Sequence, residues 1–530
     1  MSPEANESSV DVERANEIGR IAAGDIARRA GNRSPEKPGF IVPAKNEHVT
    51  FAEFDRRANR AANALLEAGY EKGTRIAIVA ENSLQFLEAY FGTLKAGIIP
   101  VFINPEITPE DIAYEFDHSE ADALLVDDVL YEKTAPLLEE RDIDTIAAFE
   151  WGDENVPAPS FHQFTNGHNE TEPAVEIKDS DLAQIMYTSG TTSKPKGVLH
   201  THKTVHMGSA NVAANADLTR HDVMGCVMPL FHCAQLTMVK GAMHVSATVV
   251  IRRGFGQEEF LTDVEERDLT WSFMLPAMYE GLLARDDIAD RDLTSLRFCL
   301  YAMAPIGSET LERCIETFDA DFALGSGQTE AYPPTVLYQP EWQLEKAGNY
   351  WGIATINTDV AIMDEDGNLL PQGEVGEIVY RGPNVMKGYL KNEAKTERAF
   401  AHGWYHSDDM GYFDEDHLLK FVDRKKDMIK SGGENVSTQK VEATLLDHPA
   451  VAEVAIVGLP HDRWGEAVTA FVVPDPKADM SESDVIEYSK KHLAGFETPK
   501  SVEFVKGLPK TTTGKIQKFE LAQEEQDYYQ

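Results

Sequence analysis

The segment Tyr187 to Val198 reads Tyr-Thr-Ser-Gly-Thr-Thr-Ser-Lys-Pro-Lys-Gly-Val. Glycines let a backbone come close to a ligand, hydroxyls and N–H groups face its oxygens, and lysines supply positive charge. That combination suits a polyphosphate, and hence a nucleotide. It is not a Walker A loop, because Gly190 is not followed after four residues by Gly-Lys-Ser/Thr. An apolar, strand-like run, Leu182 to Met186, leads into the loop, and a helix-like run, His202 to Ala214, follows it. The plain alternative is a polar surface turn. Against it stand two lysines, Lys194 and Lys196, set side by side in an acidic chain.

The 530 residues carry 49 basic and 89 acidic side chains, a net charge of −40, with 42% hydrophobic content. The chain is long enough for several domain-sized units and a large core. Acidic residues run along its whole length, which disfavours nucleic acid and anionic membranes, since phosphates are repelled. Such a surface also repels itself and is relieved by screening salt, so the expected setting is a salty cytoplasm. The four cysteines, Cys226, Cys233, Cys299 and Cys314, form no Cys-x-x-Cys pair and no zinc-type cluster. They read as small buried apolar residues in a reducing compartment. No signal peptide is visible, and no run of about 18 apolar residues spans a membrane.

Residues 1–15 read as a disordered polar tail. From Phe51 onward helix-like and strand-like runs alternate: Phe51–Ala68, Arg75–Val79, Ser83–Lys95, Ile98–Ile103, Ile107–His118 and Ala123–Val126. Leu269–Leu275 and Leu296–Tyr301 continue the pattern. Alternation of this kind predicts an α/β fold with doubly wound, mixed sheets. Between about 345 and 425 short alternating strands (Thr358–Met363, Gly376–Arg381, Leu418–Val422) predict a β-rich subdomain. A boundary is expected at the charged run 423–427. A small α+β domain follows it, with helices Lys440–Leu446 and Glu482–His492 and strands Val451–Val457, Val468–Val473 and Ser501–Phe504.

Several further motifs stand in order with the loop: Pro229-Leu230-Phe231-His232, Gly327-Gln328-Thr329-Glu330, Trp404 to Gly411, Asp423-Arg424, and Pro509 to Lys518. With them the chain, from about 40 to 520, resembles the adenylate-forming superfamily of acyl-CoA synthetases, luciferases and peptide-synthetase adenylation domains. The resemblance implies an N-terminal adenylation domain over 16–423 and a small mobile C-terminal domain over 424–530. It also implies ATP, Mg²⁺ and CoA as cofactor and co-substrates.

Residue by residue, the resemblance implies that Thr188, Ser189, Gly190, Thr191, Thr192 and Lys196 cradle the β- and γ-phosphates. Glu330, with Thr191, holds the metal, a hard ion that prefers carboxylate, water and phosphate oxygens. Met303, Ala304 and Pro305 form the adenine ledge, Gln328 and Thr329 line the nucleotide, and Asp409 takes the ribose hydroxyls with Arg424 beside it. Lys515 bridges carboxylate and α-phosphate as charge builds during adenylation. Lys426 is the hinge, and Gly432 and Gly433 belong to the loop facing the thiol arm, or else make a simple turn. His232, with Gly327, lines the acyl pocket; a satisfied core histidine is an equal reading of His232.

Some positions depart from the family pattern. Ser326 replaces an adenine-stacking aromatic, worth about 1 kcal/mol. Asp408 stands where Gly is usual, Asn349 where Ser or Gly is common, and Thr438 and Lys440 where Pro and Glu are usual. The segments Thr270–Met278 and Pro229–Leu236 are apolar and contain no base suited to a dicarboxylic acid. A medium- or long-chain fatty acid is the first expectation and an aryl acid the second. A stand-alone acyl-AMP ligase using a carrier-protein thiol is the runner-up activity, although the short stretch after Lys515 leaves no room for a fused carrier. A nucleotide-binding protein without catalysis is the third reading. The partners are then small molecules, with no nucleic acid and no membrane span, and a homodimer stays open.

Overall fold

The computed structural model describes residues 19–530 except 142, 144, 153, 189–193, 305, 347, 476, 477, 479, 511–515, 526, 527 and 530. The tail expected over 1–15 lies outside the described residues. Among those described, the chain builds sheets of 13, 7 and 5 strands.

The 7-stranded sheet has a parallel centre. Arg75–Val79 lies between Ile99–Ile103 and Ala123–Asp127, with Thr145–Phe149 beyond the latter and Leu182–Thr188 beyond the former. Its other edge turns antiparallel: Lys196–Thr201 pairs with Leu182–Thr188, and the short strand Gly388–Tyr389 pairs with Lys196–Thr201. The 13-stranded sheet also has a parallel centre, formed by Pro38–Val42, Thr248–Ile251, Val223–Cys226, Trp271–Met274, Phe298–Ala302 and Asp321–Ser326. Helical crossovers between the parallel strands make both centres doubly wound, as the alternation predicts.

Helices apolar all round must be covered on every side. In Leu84–Ala96 every residue except Gln85 is buried, and Cys233–Met243 is buried along the helix Cys233–Val245. These two helices touch through polar groups: the Lys240 ammonium nitrogen lies 3.0 Å from the Tyr90 hydroxyl. Across the carboxyl ends of the two sheets, Arg253 Nη2 pairs with Asp127 Oδ2 at 2.6 Å.

The β-rich run between 345 and 425 does not stand apart. Its strands extend the large sheet edge to edge, because Tyr350–Ala354 pairs antiparallel with both Val336–Tyr338 and Leu419–Arg424. Tyr405–Phe413, Gly376–Arg381 and Asp359–Met363 then complete the edge. Element ends shift by a residue or two where caps decide. The helix expected from Ile107 starts at Pro109, because Thr108 Oγ1 accepts from the Asp111 N–H at 3.2 Å.

The C-terminal part has its own core, including Ile429, Val441, Leu445, Val454, Val468 and Val485. A long hairpin, Val451–His461 with Gly465–Pro474, carries Ser501–Phe504 in parallel. The four cysteines are free and buried, as apolar filler should be.

Candidate active site

The loop between Thr188 and Lys196 joins two antiparallel neighbours, with Thr188 opposite Lys196. A strand therefore intervenes between the loop and the helix His202–Asn215, which corrects the expected strand–loop–helix order. The physical reason is that Val198–Thr201 alternate in burial along an edge bonded to Leu182–Thr188. Ser189, Gly190, Thr191 and Thr192 lie outside the described residues. The base of the loop is braced by Tyr114, whose hydroxyl donates to the Pro195 carbonyl at 3.3 Å and whose ring lies 4.6 Å from the Lys194 ammonium. Lys196 projects toward the Tyr389 ring, its Nζ 6.0 Å from the centroid.

The turn Gly327-Gln328-Thr329-Glu330 is held from three sides. A Cβ on Gly327 would stand 2.7 Å from Pro333 Cβ, so only glycine allows this approach. From below, the buried His200 donates from Nε2 to the Thr329 carbonyl at 2.7 Å. Burial pushes the His200 imidazole down to about 3, so it is neutral. Cys233 Sγ lies 3.4 Å from Thr329 Oγ1. From the side, the Tyr389 hydroxyl donates to Glu330 Oε1 at 3.0 Å, and the Met386 N–H donates to the Glu330 carbonyl at 2.7 Å.

Gln328 joins this turn to Asp409. Its Nε2 donates to Asp409 Oδ2 at 2.6 Å and to the Ser407 carbonyl at 2.9 Å, while its Oε1 accepts from the Tyr405 hydroxyl at 2.7 Å. Asp409 is 3% exposed, so it is not a solvated surface carboxylate. Strand register sets Asp409 opposite Arg424, whose Nε lies 3.5 Å from Oδ1.

Asp408, a departure from the family pattern, and Met303 of the expected adenine ledge share one backbone demand. Asp408 has φ +61 and Met303 φ +73, the left-handed region that favours glycine. Aspartate tolerates it better than methionine, and Met303 and Ala304 are exposed. Pro305 lies outside the described residues.

His232 caps the helix Cys233–Val245: its Nδ1 accepts from the Ala234 N–H at 3.3 Å. Burial pushes its imidazole down to about 4. The ring is thus neutral, with Nε2 its remaining donor.

Lys426 follows the strand end at Arg424 and lies within electrostatic reach of Lys196 and Asp408. Gly432 and Gly433, at φ +63 and +92, form the two-residue turn between Ile429–Ser431 and Glu434–Val436.

Lys515 lies outside the described residues. Its loop is pinched at the base by the antiparallel bridge Lys510–Ile516 and by the Gln517 N–H donating to the Pro509 carbonyl at 2.8 Å. Just beyond, Lys518 Nζ pairs with Glu442 Oε1 at 2.7 Å and donates to Thr438 Oγ1 at 2.6 Å.

Sequence reading missed His200, Tyr389, Lys395 and Tyr405. His200 had a signal, since it stands four residues after Lys196 on one strand and so shares its face. Tyr405 lies inside the motif Trp404 to Gly411. Tyr389 and Lys395 had none until strand pairing laid Gly388–Tyr389 along Lys196–Thr201. Among the described residues no group of three or more His, Cys, Asp or Glu is arranged to hold a metal ion. No described helix is long and apolar enough to cross a membrane.

Comparison with known proteins agrees with this geometry. A model of the AMP-binding enzyme family matches residues 27–390, and one of the AMP-binding enzyme C-terminal domain matches 440–515. The chain is 31% identical to a long-chain-fatty-acid–CoA ligase of Mycobacterium tuberculosis over 509 residues, covering 94% of this chain and 98% of that protein. It is 34% identical to a feruloyl-CoA synthase of an Amycolatopsis species over 474 residues, covering 89% and 93%. The ATP-bound MatB structure from Rhodopseudomonas palustris superimposes with a TM-score of 0.86 at 26% identity, covering 96% of this chain and all of that one. The chain belongs to the AMP-binding enzymes, and so to the adenylate-forming superfamily, in the class of acid–thiol ligases.

Proposed function

We propose that the protein is an ATP-dependent acyl-CoA synthetase acting on a medium- or long-chain fatty acid. The observation that carries this reading is the hydrogen-bonded chain from Glu330 to Asp409: Tyr389 holds one end of the Gly327–Glu330 turn and Gln328 ties the other to the Asp409–Arg424 pair. In this reading the carboxylate for a metal and the carboxylate for a ribose are linked through side-chain bonds to one turn.

In the first half-reaction a carboxylate oxygen of the acid attacks the α-phosphorus of ATP, and the bond to pyrophosphate breaks. Both reactants are anionic, so positive charge and alignment lower the barrier. Lys196, with Thr188, Ser189, Gly190, Thr191 and Thr192, faces the departing phosphates. Asp409 accepts from the ribose hydroxyls and Arg424 donates nearby. Met303, Ala304 and Pro305 pass under the adenine. Lys515 reaches the forming bond.

Glu330 fits a magnesium ion: Tyr389 occupies only Oε1, and a single protein carboxylate suits a metal held mainly by phosphate and water. When bound, the ion neutralises phosphate charge. In the second half-reaction the CoA thiolate attacks the acyl carbon and AMP leaves. The C-terminal domain turns about Lys426, and Gly432 and Gly433 flank the thiol arm.

The acid's chain length rests on the apolar segments named above and on the similarity to a long-chain ligase. An aryl acid is the second reading, favoured by the similarity to a feruloyl-CoA synthase. One assay separates the readings: purified protein, ATP, Mg²⁺, KCl, and a panel of acids with and without CoA. Acid-dependent pyrophosphate release together with CoA thioester is expected. Pyrophosphate without thioester would point to a carrier-protein acceptor, and no pyrophosphate with any acid would overturn the enzyme reading of this site. Lys515→Ala should abolish adenylation yet leave thioester formation from supplied acyl-AMP largely intact. Equal loss of both half-reactions in a folded variant would sink the two-conformation mechanism.

A further inference from the structure

Several lysines in this chain find carboxylates, as 89 acidic residues against 49 basic ones make easy. Lys391 pairs with Glu120 at 2.8 Å, Lys425 with Glu377 at 3.3 Å, and Lys440 with Glu497 at 2.6 Å. Lys196 and Lys395 differ. Neither forms an ion pair among the described residues, and both lean on one ring, with Nζ 6.0 Å and 5.2 Å from the Tyr389 centroid. That ring's hydroxyl is committed to Glu330. Two ammonium groups drawn together without a direct ion pair, with Asp408 and Glu330 acting on Lys395 only through space, raise the energy of the empty protein, and a bound anion lowers that cost. Burial, with the Lys196 charge behind it, pulls the Lys395 ammonium below the ordinary lysine range.

The placement of Lys395 is built. Its N–H donates to the Asn392 Oδ1 cap at 3.1 Å, which fixes the start of the helix Glu393–Ala399. The next residue, Thr396, accepts the Tyr389 N–H on Oγ1 at 3.0 Å. A Cβ on Gly388 would stand 2.7 Å from Thr396 Cγ2, so the helix packs directly on the strand before it. That strand is paired with Lys196–Thr201, Tyr389 opposite Val198, and the Leu390 N–H donates to the Gly197 carbonyl at 2.8 Å. Backbone pairing alone thus carries Lys395 to the side of Lys196.

We propose that Lys395 is a second cationic arm for the terminal phosphates of the nucleotide, closing with Lys196 on the pyrophosphate group beside the Tyr389 ring. Tyr389 separates the pair of cations from the Glu330 carboxylate, so that lysines and acid do not cancel each other by direct pairing. The inference rests on the reading that Lys196 faces the phosphates, and it adds a residue which binds the leaving group rather than the reacting carboxylate.

The test measures binding of Mg²⁺–pyrophosphate to the full chain by calorimetry, in the wild type and in Lys395→Met, Lys395→Arg and Lys196→Met. Loss of one charge-assisted contact should raise the dissociation constant roughly tenfold in Lys395→Met and in Lys196→Met. Lys395→Arg should stay near the wild type. Steady-state kinetics should show the KM for ATP rising by a similar factor in Lys395→Met, with the KM values for acid and CoA unchanged. If Lys395→Met binds pyrophosphate as tightly as the wild type, the inference is overturned while the nucleotide site stands. If it lowers kcat and leaves pyrophosphate binding untouched, the residue has a structural role and the inference is again overturned. If the wild type binds neither ATP nor pyrophosphate, the underlying reading of the site is the one that falls.

Discussion

Asp409 shows how one side chain is committed by its neighbours before any ligand arrives. It is buried, it accepts from Gln328, and it faces Arg424 across a strand pair. A carboxylate oxygen pair in that position can accept from two hydroxyls. Asp409→Asn should raise the KM for ATP by about 10- to 100-fold, the span of one or two lost bonds to a charged group. Pyrophosphate binding should be unchanged, since that end of the site lies with Lys196. Equal weakening of both ligands would place Asp409 in a general structural role instead. Backbone geometry decides other residues: Asp408 and Met303 sit at positive φ, so the family's preference for small residues there is a demand of the turn rather than of the substrate.

At the scale of elements, two junctions matter. The helix His202–Asn215 begins with a buried histidine whose Nδ1 accepts from the Ala23 N–H at 3.1 Å. Burial pushes the His202 imidazole from 6.5 down to about 4. His200, His232 and His244 are likewise pushed down to about 3, 4 and 3. Each folded-state value lies below the unfolded one, so the unfolded chain binds protons first. The stability these groups contribute is full above about pH 6.5 and is lost as the pH falls toward 4, by up to about 1.4 kcal/mol per pH unit for each proton. His202→Asn keeps an acceptor for Ala23 and should flatten the acid limb of stability by about one proton, read from urea unfolding at a series of pH values. An unchanged slope would mean that His202 titrates alike in both states.

The second junction is the clasp between the sheet edge and the C-terminal domain. Thr438 donates its N–H and its Oγ1–H to Asp423 Oδ2 and accepts from Lys518. Proline, the family's usual residue there, has no N–H to give. Thr438→Val should cost about 1–3 kcal/mol by leaving buried partners unmet, seen as a lower unfolding midpoint. A neutral substitution would show that water replaces the hydroxyl at no cost.

For the molecule as a whole the net charge of −40 governs behaviour in solution. Self-repulsion of exposed carboxylates is screened over about 10 Å at 0.1 M salt and over much less at 1 M. Unfolding temperature should therefore climb steadily with KCl, and full stability in dilute buffer would refute the expectation of a salty setting. The doubly wound sheets and the buried cysteines were legible from residue order, because burial periodicity acts over short, contiguous stretches. The motif Gly327–Glu330 and the acid at Asp409 were named through the family resemblance, whose motifs are short and contiguous. How they meet was not legible. The Gln328–Asp409 bond, the Tyr389–Glu330 bond and the approach of Lys395 to Lys196 each join segments far apart in the chain. They exist because Gly388–Tyr389 takes the open edge of one sheet and the strands around Tyr405 extend the other. Residue types settle which chemistry is available within a loop. Strand order and register settle which loops share a site, and those depend on edges and cores that no local spacing encodes.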